Sequence, residues 1–389
     1  MITCNTHHVV RRATASCASS LSVLTKKTDI KATRIALPRR LTHSTHNNIG
    51  TNSSSFSGPI ITASSSCITS TNGAGGILLR NYSTFEPQAN NTYHGTPAYE
   101  GIDIGTNSDI SSAAAARNND PEAVFVVTGA SRSMGLQFVK ELIARTKGHI
   151  VACVLRPGSA PALDSYLGQL TPDERSRIEV HRLDVTDQDQ IEQLSKDFTE
   201  THGRVDGLFN VAGSLGDKST TPGPEMNLSQ LDQKWAEHQM AVNAIGPLTL
   251  MITHRPQGLL KARKGRKNYL RTSGSRESVV VNLSARVASM DDNTGGLAWY
   301  TYRMSKAALN SGVRASSHEL RRQGTCALSL YPGLTDTDMS TPFKTKAMMD
   351  KGLVFPVEFS ASRLMDVVDR MEEEHSGGFY DWAGQAIPF

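Results

Sequence analysis

The sequence predicts one α/β domain over residues 122–389, a doubly wound parallel sheet with helices on both faces. Three observations predict it. Short apolar, β-branched runs recur through this region and are continuous rather than alternating, as strands buried on both sides require. Between them lie stretches with apolar residues at helical spacing, the alternation that produces parallel strands. The first run, AVFVVTGAS, passes through a Gly-bearing turn straight into MGLQFVKELIARTKG, where Met134, Leu136, Phe138, Val139, Leu142 and Ile143 share one helix face.

What precedes the domain has a different composition. Residues 1–82 hold nine Lys or Arg and one acid, a net +8, which leaves 32 basic and 36 acidic side chains, net −4, for the rest of the 389-residue chain. A slightly acidic body gives no electrostatic case for nucleic-acid binding, which draws its affinity from clustered cations. The segment is Ser-rich and acid-poor, without apolar periodicity, which is the composition of an organelle transit peptide. The mitochondrial matrix is the first expectation, a plastid or the cytoplasm the alternatives. Arg80-Asn81-Tyr82-Ser83 resembles a mitochondrial presequence cleavage site. No run reaches the ~18 apolar residues of a membrane span. Residues 83–121, polar and of low complexity, read as a linker. Three of five cysteines fall in the leader, so neither a disulfide framework nor a metal site is expected.

After the first strand and helix, HIVACVLRP, RIEVHRLDVTD, VDGLFNVAG, SVVVNLSAR, CALSLYPG and GGFYDWAG read as six further strands. Ligands of such sheets sit beyond the carboxyl ends of the strands, where strand order reverses. Gly129 and Gly135 flank the first turn, with Ser131, Arg132, Ser133 and Met134 between them. Absent side chains there let backbone N–H groups approach a pyrophosphate at a helix N-terminus, although a tight turn with no ligand uses the same residues. An acid at the end of the second strand would favour NAD; the chain has Arg156, a planar fork suited to phosphate, and Arg132 reaches toward the same place. NADP(H) is therefore expected over NAD(H).

Tyr302 and Lys306 stand four apart in WYTYRMSKAALNSGV, which reads as a helix start, so they share a face. A phenol titrates near 10, and a nearby ammonium stabilises its anion. Such a pair can exchange a proton with a carbonyl or an alcohol.

With these motifs in order, residues 122–389 resemble the short-chain dehydrogenase/reductase superfamily, whose fold is of the Rossmann type. TGASRSMG is similar to its cofactor turn, LDVTD to its adenine-contacting segment, NVAG to its NNAG, and AVNAIGP to its active-site Asn segment. VNLSA, YRMSK and YPGLTDTDM match its Ser, YxxxK and PGxxxT segments. NLSARVASMDDNTGGLAWYTYRMSKAALN and YDWAGQAIPF are further similar to the C-factor and sniffer-like carbonyl reductases. The resemblance implies an NADP-dependent oxidoreductase acting on a small carbonyl or alcohol, and a homo-oligomer, dimer or tetramer, built on the helices bearing Asn243 and Lys306. It implies Tyr302 as general acid/base and Lys306 as the group that lowers its pKa and holds the nicotinamide ribose. Ser284 would bond the substrate oxygen, and Asn243 would support a proton relay. Asp184 and Val185 would flank adenine, Asn210, Ala212 and Gly213 would line the cleft, and Pro332, Gly333 and Thr337 would close over the nicotinamide. Otherwise Asp184 only caps a helix and Asn243 only bridges backbone.

Two positions depart from the family pattern. Ser133 stands where Gly or Ala is usual, and its hydroxyl either caps the helix or crowds the phosphates. Ala285 stands where the common VNxSS pattern has its active serine, so Ser284 acts only if the strand end re-aims it, with Ser289 as the fallback. These departures leave open a second class of function, a cofactor-binding scaffold without turnover. The loops 214–235 and 334–356, with Met226, Trp235, Phe343 and Met348, predict an apolar substrate pocket. The basic segment 261–276 reads as a solvated loop or a site for an anionic partner.

Overall fold

The computed structural model describes residues 92–105, 109–216, 221–253 and 278–389. The expected transit peptide and the basic segment 261–276 lie outside the described residues. The chain runs α1 (Ser112–Asn118), β1 (Val124–Thr128), α2 (Ser133–Arg145), β2 (His149–Val154), α3 (Pro161–Leu167), α4 (Pro172–Ser176), β3 (Ile178–Arg182), α5 (Gln188–Thr201) and β4 (Gly207–Asn210). It continues with α6 (Gln233–Met240), α7 (Gly246–Thr253), β5 (Ser278–Leu283), α8 (Tyr300–Leu320), β6 (Thr325–Tyr331), α9 (Lys346–Asp350), α10 (Val357–Arg370) and β7 (Phe379–Asp381). The strands form one seven-stranded sheet in the order β3-β2-β1-β4-β5-β6-β7, every neighbouring pair parallel. All seven expected strands are present, and the reversal of order falls between β1 and β4, where a ligand crevice belongs.

Continuous apolar strands bury both faces because successive side chains alternate. On one face Phe125, Val127, Ile150 and Ala152 pack with Phe138 and Leu142 of α2 and Leu364 and Val368 of α10. On the other, Val124, Val126, Val151 and Cys153 pack with Ile191, Leu194 and Phe198 of α5 and Leu309 and Val313 of α8. Each fully buried Leu or Phe here contributes roughly 1.5–3 kcal/mol. Among the described residues no helix is long and apolar enough to cross a membrane, and no group of three His, Cys, Asp or Glu side chains could hold a metal ion.

The segment read as a linker over 83–121 differs from that reading where it is described. Ile102 and Ile104, two apart in GIDIG, are buried in the core, and the Ile102 N–H donates to the Gly384 carbonyl at 2.8 Å. The Ala-rich helix α1 is capped by Ser111 and docks on α10, where Asn118 Nδ2 donates to Asp369 Oδ1 at 2.8 Å. Its polar composition hid two well-spaced isoleucines and a capped helix.

Candidate active site

The predicted site segments lie at the carboxyl ends of the strands or on the elements that follow. At the end of β1, Gly129 has a φ of 67°, and a Cβ there would stand 2.9 Å from Ala212 Cα. The turns after β1 and β4 are therefore in contact, and Thr128 Oγ1 ties them by accepting from the Val211 and Ala212 N–H groups at 3.0 and 3.2 Å. A Cβ on Gly135 would sit 2.1 Å from the Gly129 carbonyl oxygen, so only glycine lets α2 approach this closely.

No side chain caps α2, whose N-cap residue is Arg132. Its first-turn N–H groups are thus left for an anion. Ser133 does not supply the cap that one reading gave it, and it holds a left-handed φ of 49°, which strains any residue with a side chain. Ser131 is half-buried, and Met134 turns into the core, so only its backbone can serve a ligand. Arg132 and Arg156 are both exposed. Arg132 forms a solvated ion pair with Asp338 in the loop after β6, Nε to Oδ2 at 3.5 Å, which is worth little and would yield to a phosphate.

After β3, the Asp184 carboxylate accepts from the Thr186 N–H and hydroxyl at 2.9 and 2.7 Å. The cap of α5 is Asp187, so the reading of Asp184 as a helix cap does not hold. Val185 is buried, its carbonyl oxygen 2.4 Å from where a Cβ on Gly246 would lie. At the end of β4, Asn210 Nδ2 donates to Asn282 Oδ1 at 2.9 Å, while its own Oδ1 is buried without a partner. A Cβ on Gly213 would meet Asn243 Oδ1 at 3.3 Å and Lys306 Nζ at 3.7 Å, so these three residues converge. Beyond β6, Gly333 has a φ of 79° and abuts Phe355, Pro332 is half-buried, and Thr337 exchanges hydrogen bonds with Ser340.

Asn243 sits in a π-helical turn, Ala241–Ile245, between α6 and α7, a local widening frequent at functional sites. Fully buried, it donates from Nδ2 to the Ser214 carbonyl and Gln239 Oε1 at 2.8 Å and to Ser305 Oγ at 3.0 Å, and its Oδ1 accepts from the Ser214 N–H at 2.8 Å. It therefore locks the loop after β4 to α8. Tyr302 and Lys306 both lie on the buried face of α8, with Nζ 6.0 Å from the phenol ring centroid. Nζ donates to the Leu283 carbonyl at 2.8 Å, at the end of the strand that leads to Ser284. Burial pushes the Tyr302 phenol above its ordinary value, the neighbouring Tyr331 adding to it, and burial draws Lys306 down to about 8. Both shifts run against the phenolate that the sequence argument invoked, because desolvation outweighs the lysine's charge.

Ser284 is buried with its hydroxyl unpartnered, whereas the Ser289 hydroxyl is engaged, accepting from the Asp292 N–H at 3.0 Å. From this segment it is Ala285 that clusters with Leu215 and Tyr302, and Val287, Trp299 and Phe343 pack around them. Of the residues expected to line a substrate pocket, Phe343 packs against the cluster around Tyr302. Trp235 instead packs against Gly223 and His238, Met226 is exposed and Met348 is half-buried.

Glu225 belongs to no motif that sequence reasoning could have picked out. Buried to 1% exposure, its carboxylate accepts from the Thr301 N–H at 3.2 Å and the Thr301 hydroxyl at 2.7 Å, and its carbonyl accepts from the Trp299 N–H at 2.8 Å. It thereby fixes the start of α8, next to Tyr302. Trp299 itself carries a left-handed φ of 43°.

Comparison with known proteins bears on the family and the fold. The model of the short chain dehydrogenase family matches residues 123–347, more than half of the chain. C-signal of Myxococcus xanthus is 34% identical over 187 residues, 48% of this chain and 94% of that protein. The NADPH-bound carbonyl reductase from chicken fatty liver superposes with a TM-score of 0.58 at 25% identity, covering 69% of this chain and 99% of that one. The carbonyl reductase Sniffer of D. melanogaster shares the fold with a TM-score of 0.58 at 23% identity, covering 69% of this chain and all of that one. The chain belongs to the short-chain dehydrogenase family, and within it is similar to C-signal and the sniffer-like carbonyl reductases.

Proposed function

We propose that the chain reduces a carbonyl compound with NADPH, or oxidises the matching alcohol with NADP, with Tyr302 as the proton-transferring group. The observation that carries this reading is the buried pair on α8, Tyr302 and Lys306, whose ammonium is anchored to the strand end before an unpartnered Ser284 hydroxyl. The residues present fit a dinucleotide: glycines 129, 135 and 213 leave no side chains in its path, the N-terminus of α2 is uncapped, and Asn210 Oδ1 has no partner. When bound, the nicotinamide would deliver a hydride to the carbonyl carbon.

Burial keeps Tyr302 protonated at neutral pH, which suits it to give its proton to the substrate oxygen as charge develops there. Ser284 would donate to the same oxygen. Lys306 spends one of its three N–H donors on Leu283 and has two for the ribose and the phenol. Leu215, Val287, Trp299 and Phe343 around Tyr302 favour an apolar substrate. Arg132 and Arg156, with no acid at the end of β2, favour the 2′-phosphate of NADP(H) over NAD(H). The NADPH-bound state of the chicken relative supports the same preference.

The test is a carbonyl panel with NADPH and NADH. Turnover should be faster with NADPH, and Tyr302→Phe should lower kcat by about 10²–10⁴-fold while NADPH affinity stays unchanged. Binding of NADPH with no turnover of any carbonyl by the native protein would sink the reading. We infer also a homo-oligomer through the helices that expose Ile245 and Met304, and delivery of the basic leader to the mitochondrial matrix. Light scattering and a fluorescent fusion of residues 1–91 check these two.

A further inference from the structure

Residues 92–104 precede the region matched by the family, which begins at residue 123, yet they lie against the loop that carries Ser284. Beyond Ser284 a short 3-10 turn, Arg286–Ala288, leads to Asp292, and Arg286 closes this loop through a two-pronged ion pair with Asp292. The inner side of the loop supplies Ala285 and Val287 to the apolar cluster around Tyr302.

The outer side is held from the N-terminal segment. Arg286 Nη2 donates to the Thr92 carbonyl at 3.0 Å, and its guanidinium stacks on the Tyr93 ring, 4.6 Å from the centroid. The His94 N–H donates to Asp292 Oδ1 at 2.8 Å, and Gly95 passes so close to Asp291 that a Cβ would lie 2.8 Å from its side chain. The Tyr93 hydroxyl then donates at 2.5 Å to Asp381, a wholly buried carboxylate on β7 that also accepts from the Ala383 and Gln385 N–H groups. Farther along, Ile102 and Ile104 root the segment in the core.

We propose that residues 92–104 form a strap, and that Tyr93 within it is a positioning residue that holds the loop from Ser284 to Asp292 against the active site. Tyr93 links the loop after β5, which lies inside the region matched by the family model, to the end of β7, which lies beyond it. One aromatic ring restrains Arg286, and one hydroxyl anchors that ring to Asp381. Loss of the ring frees the loop and displaces the wall of the pocket and Ser284. The inference rests on the enzymatic reading above.

The experiment uses the full chain, with Tyr93→Ala and Tyr93→Phe compared for NADPH affinity, kcat, KM and hydrogen exchange by peptide. In Y93A we expect kcat to fall at least tenfold with NADPH affinity within twofold. Exchange should quicken in the peptides spanning 284–292 and stay unchanged in those of β1 and α2. Y93F keeps the ring over Arg286, and should lose no more than about threefold in kcat. Unchanged kcat and unchanged exchange at 284–292 in Y93A would overturn the strap, and so would an exchange increase spread evenly over the domain. If Y93A does not fold, Y93F must still quicken exchange at 284–292, and failure to do so overturns the proposal. If the native protein turns over no carbonyl, the enzymatic reading fails by itself, and the exchange comparison decides the strap without it.

Discussion

Lys306 Nζ donates to the Leu283 carbonyl oxygen at 2.8 Å, so this lysine of α8 grips the end of the strand that leads into Ser284. The grip costs desolvation, which holds the ammonium near 8, while an unfolded chain titrates lysine near 10.4. Between those two values the unfolded chain binds more protons, so stability rises with pH through that window, and below 8 the penalty is present in full. Lys306→Met removes the titration. The unfolding free energy of the native protein should therefore gain on that of K306M by on the order of 3 kcal/mol from pH 7 to pH 10. Urea unfolding of both at several pH values checks it; parallel profiles would refute it.

On the proposed mechanism the same ammonium must be charged to serve the phenol. Carbonyl reduction by the native protein should hardly change from pH 6 to 7 and fall above about 8, as Lys306 loses its proton. Lys306→Arg, which stays charged, should have lower activity but no decline in this window. The pH profile of kcat for the two proteins is the measurement.

At the strand end, Ser284 has a buried hydroxyl without a partner, while Ala285 joins the cluster around Tyr302. A buried unpaired hydroxyl is costly unless a ligand pairs it. Ser284→Ala should therefore leave stability unchanged or raise it, and lower kcat by about 10–10²-fold, the worth of one bond to a charge-bearing transition state. Unchanged kcat in S284A together with a gain in Ala285→Ser would transfer the role to position 285.

The sheet was legible because its signal is local. Runs such as SVVVNL and CALSLY bury both faces as interior parallel strands, and the glycines at 129 and 135 mark a turn where backbone must approach backbone. Tyr302 and Lys306 were legible because a four-residue spacing on a helix fixes their common face. Their titration was not, since desolvation depends on what other segments stack over them. Glu225 was invisible for the same reason, standing 76 residues from the Thr301 it serves with no local pattern announcing it. The strap shows a missed signal rather than an absent one: Ile102 and Ile104 alternate with polar residues as a half-buried extended segment does, yet the surrounding Gly, Asn and Ser concealed them.

Ser133 is a strain that a single substitution can remove. Its φ of 49° puts a side chain in left-handed backbone, at a cost of about 1–2 kcal/mol, and its hydroxyl returns no cap to α2. Glycine relieves that cost, although it also loosens the unfolded chain. Ser133→Gly should raise stability by about 0.5–1 kcal/mol, a shift of about 1–4 °C in Tm, and tighten NADPH binding by clearing the turn. Calorimetry and cofactor titration check both; a fall in Tm would show that the serine's conformation is held by contacts worth more than the strain.

Glu225 reaches the candidate active site through the start of α8 and through Trp299 just before it. The carboxylate meets the Thr301 N–H and hydroxyl at the positive end of a 21-residue helix, so charge, hydrogen bonds and helix dipole all favour it there. Glu225→Gln keeps the shape but replaces one acceptor oxygen with a donor, and should cost about 1.5–3 kcal/mol, the range for hydrogen bonds to a charged group. Because Thr301 immediately precedes Tyr302, the loosened first turn of α8 should also lower kcat for carbonyl reduction. NADPH affinity should change less, since the glycine turn and α2 are built on other strands. Glu225→Asp, which keeps the charge on a shorter arm, should recover part of both losses. If E225Q lost stability with kcat intact, Glu225 would be a helix anchor with no hold on the position of Tyr302.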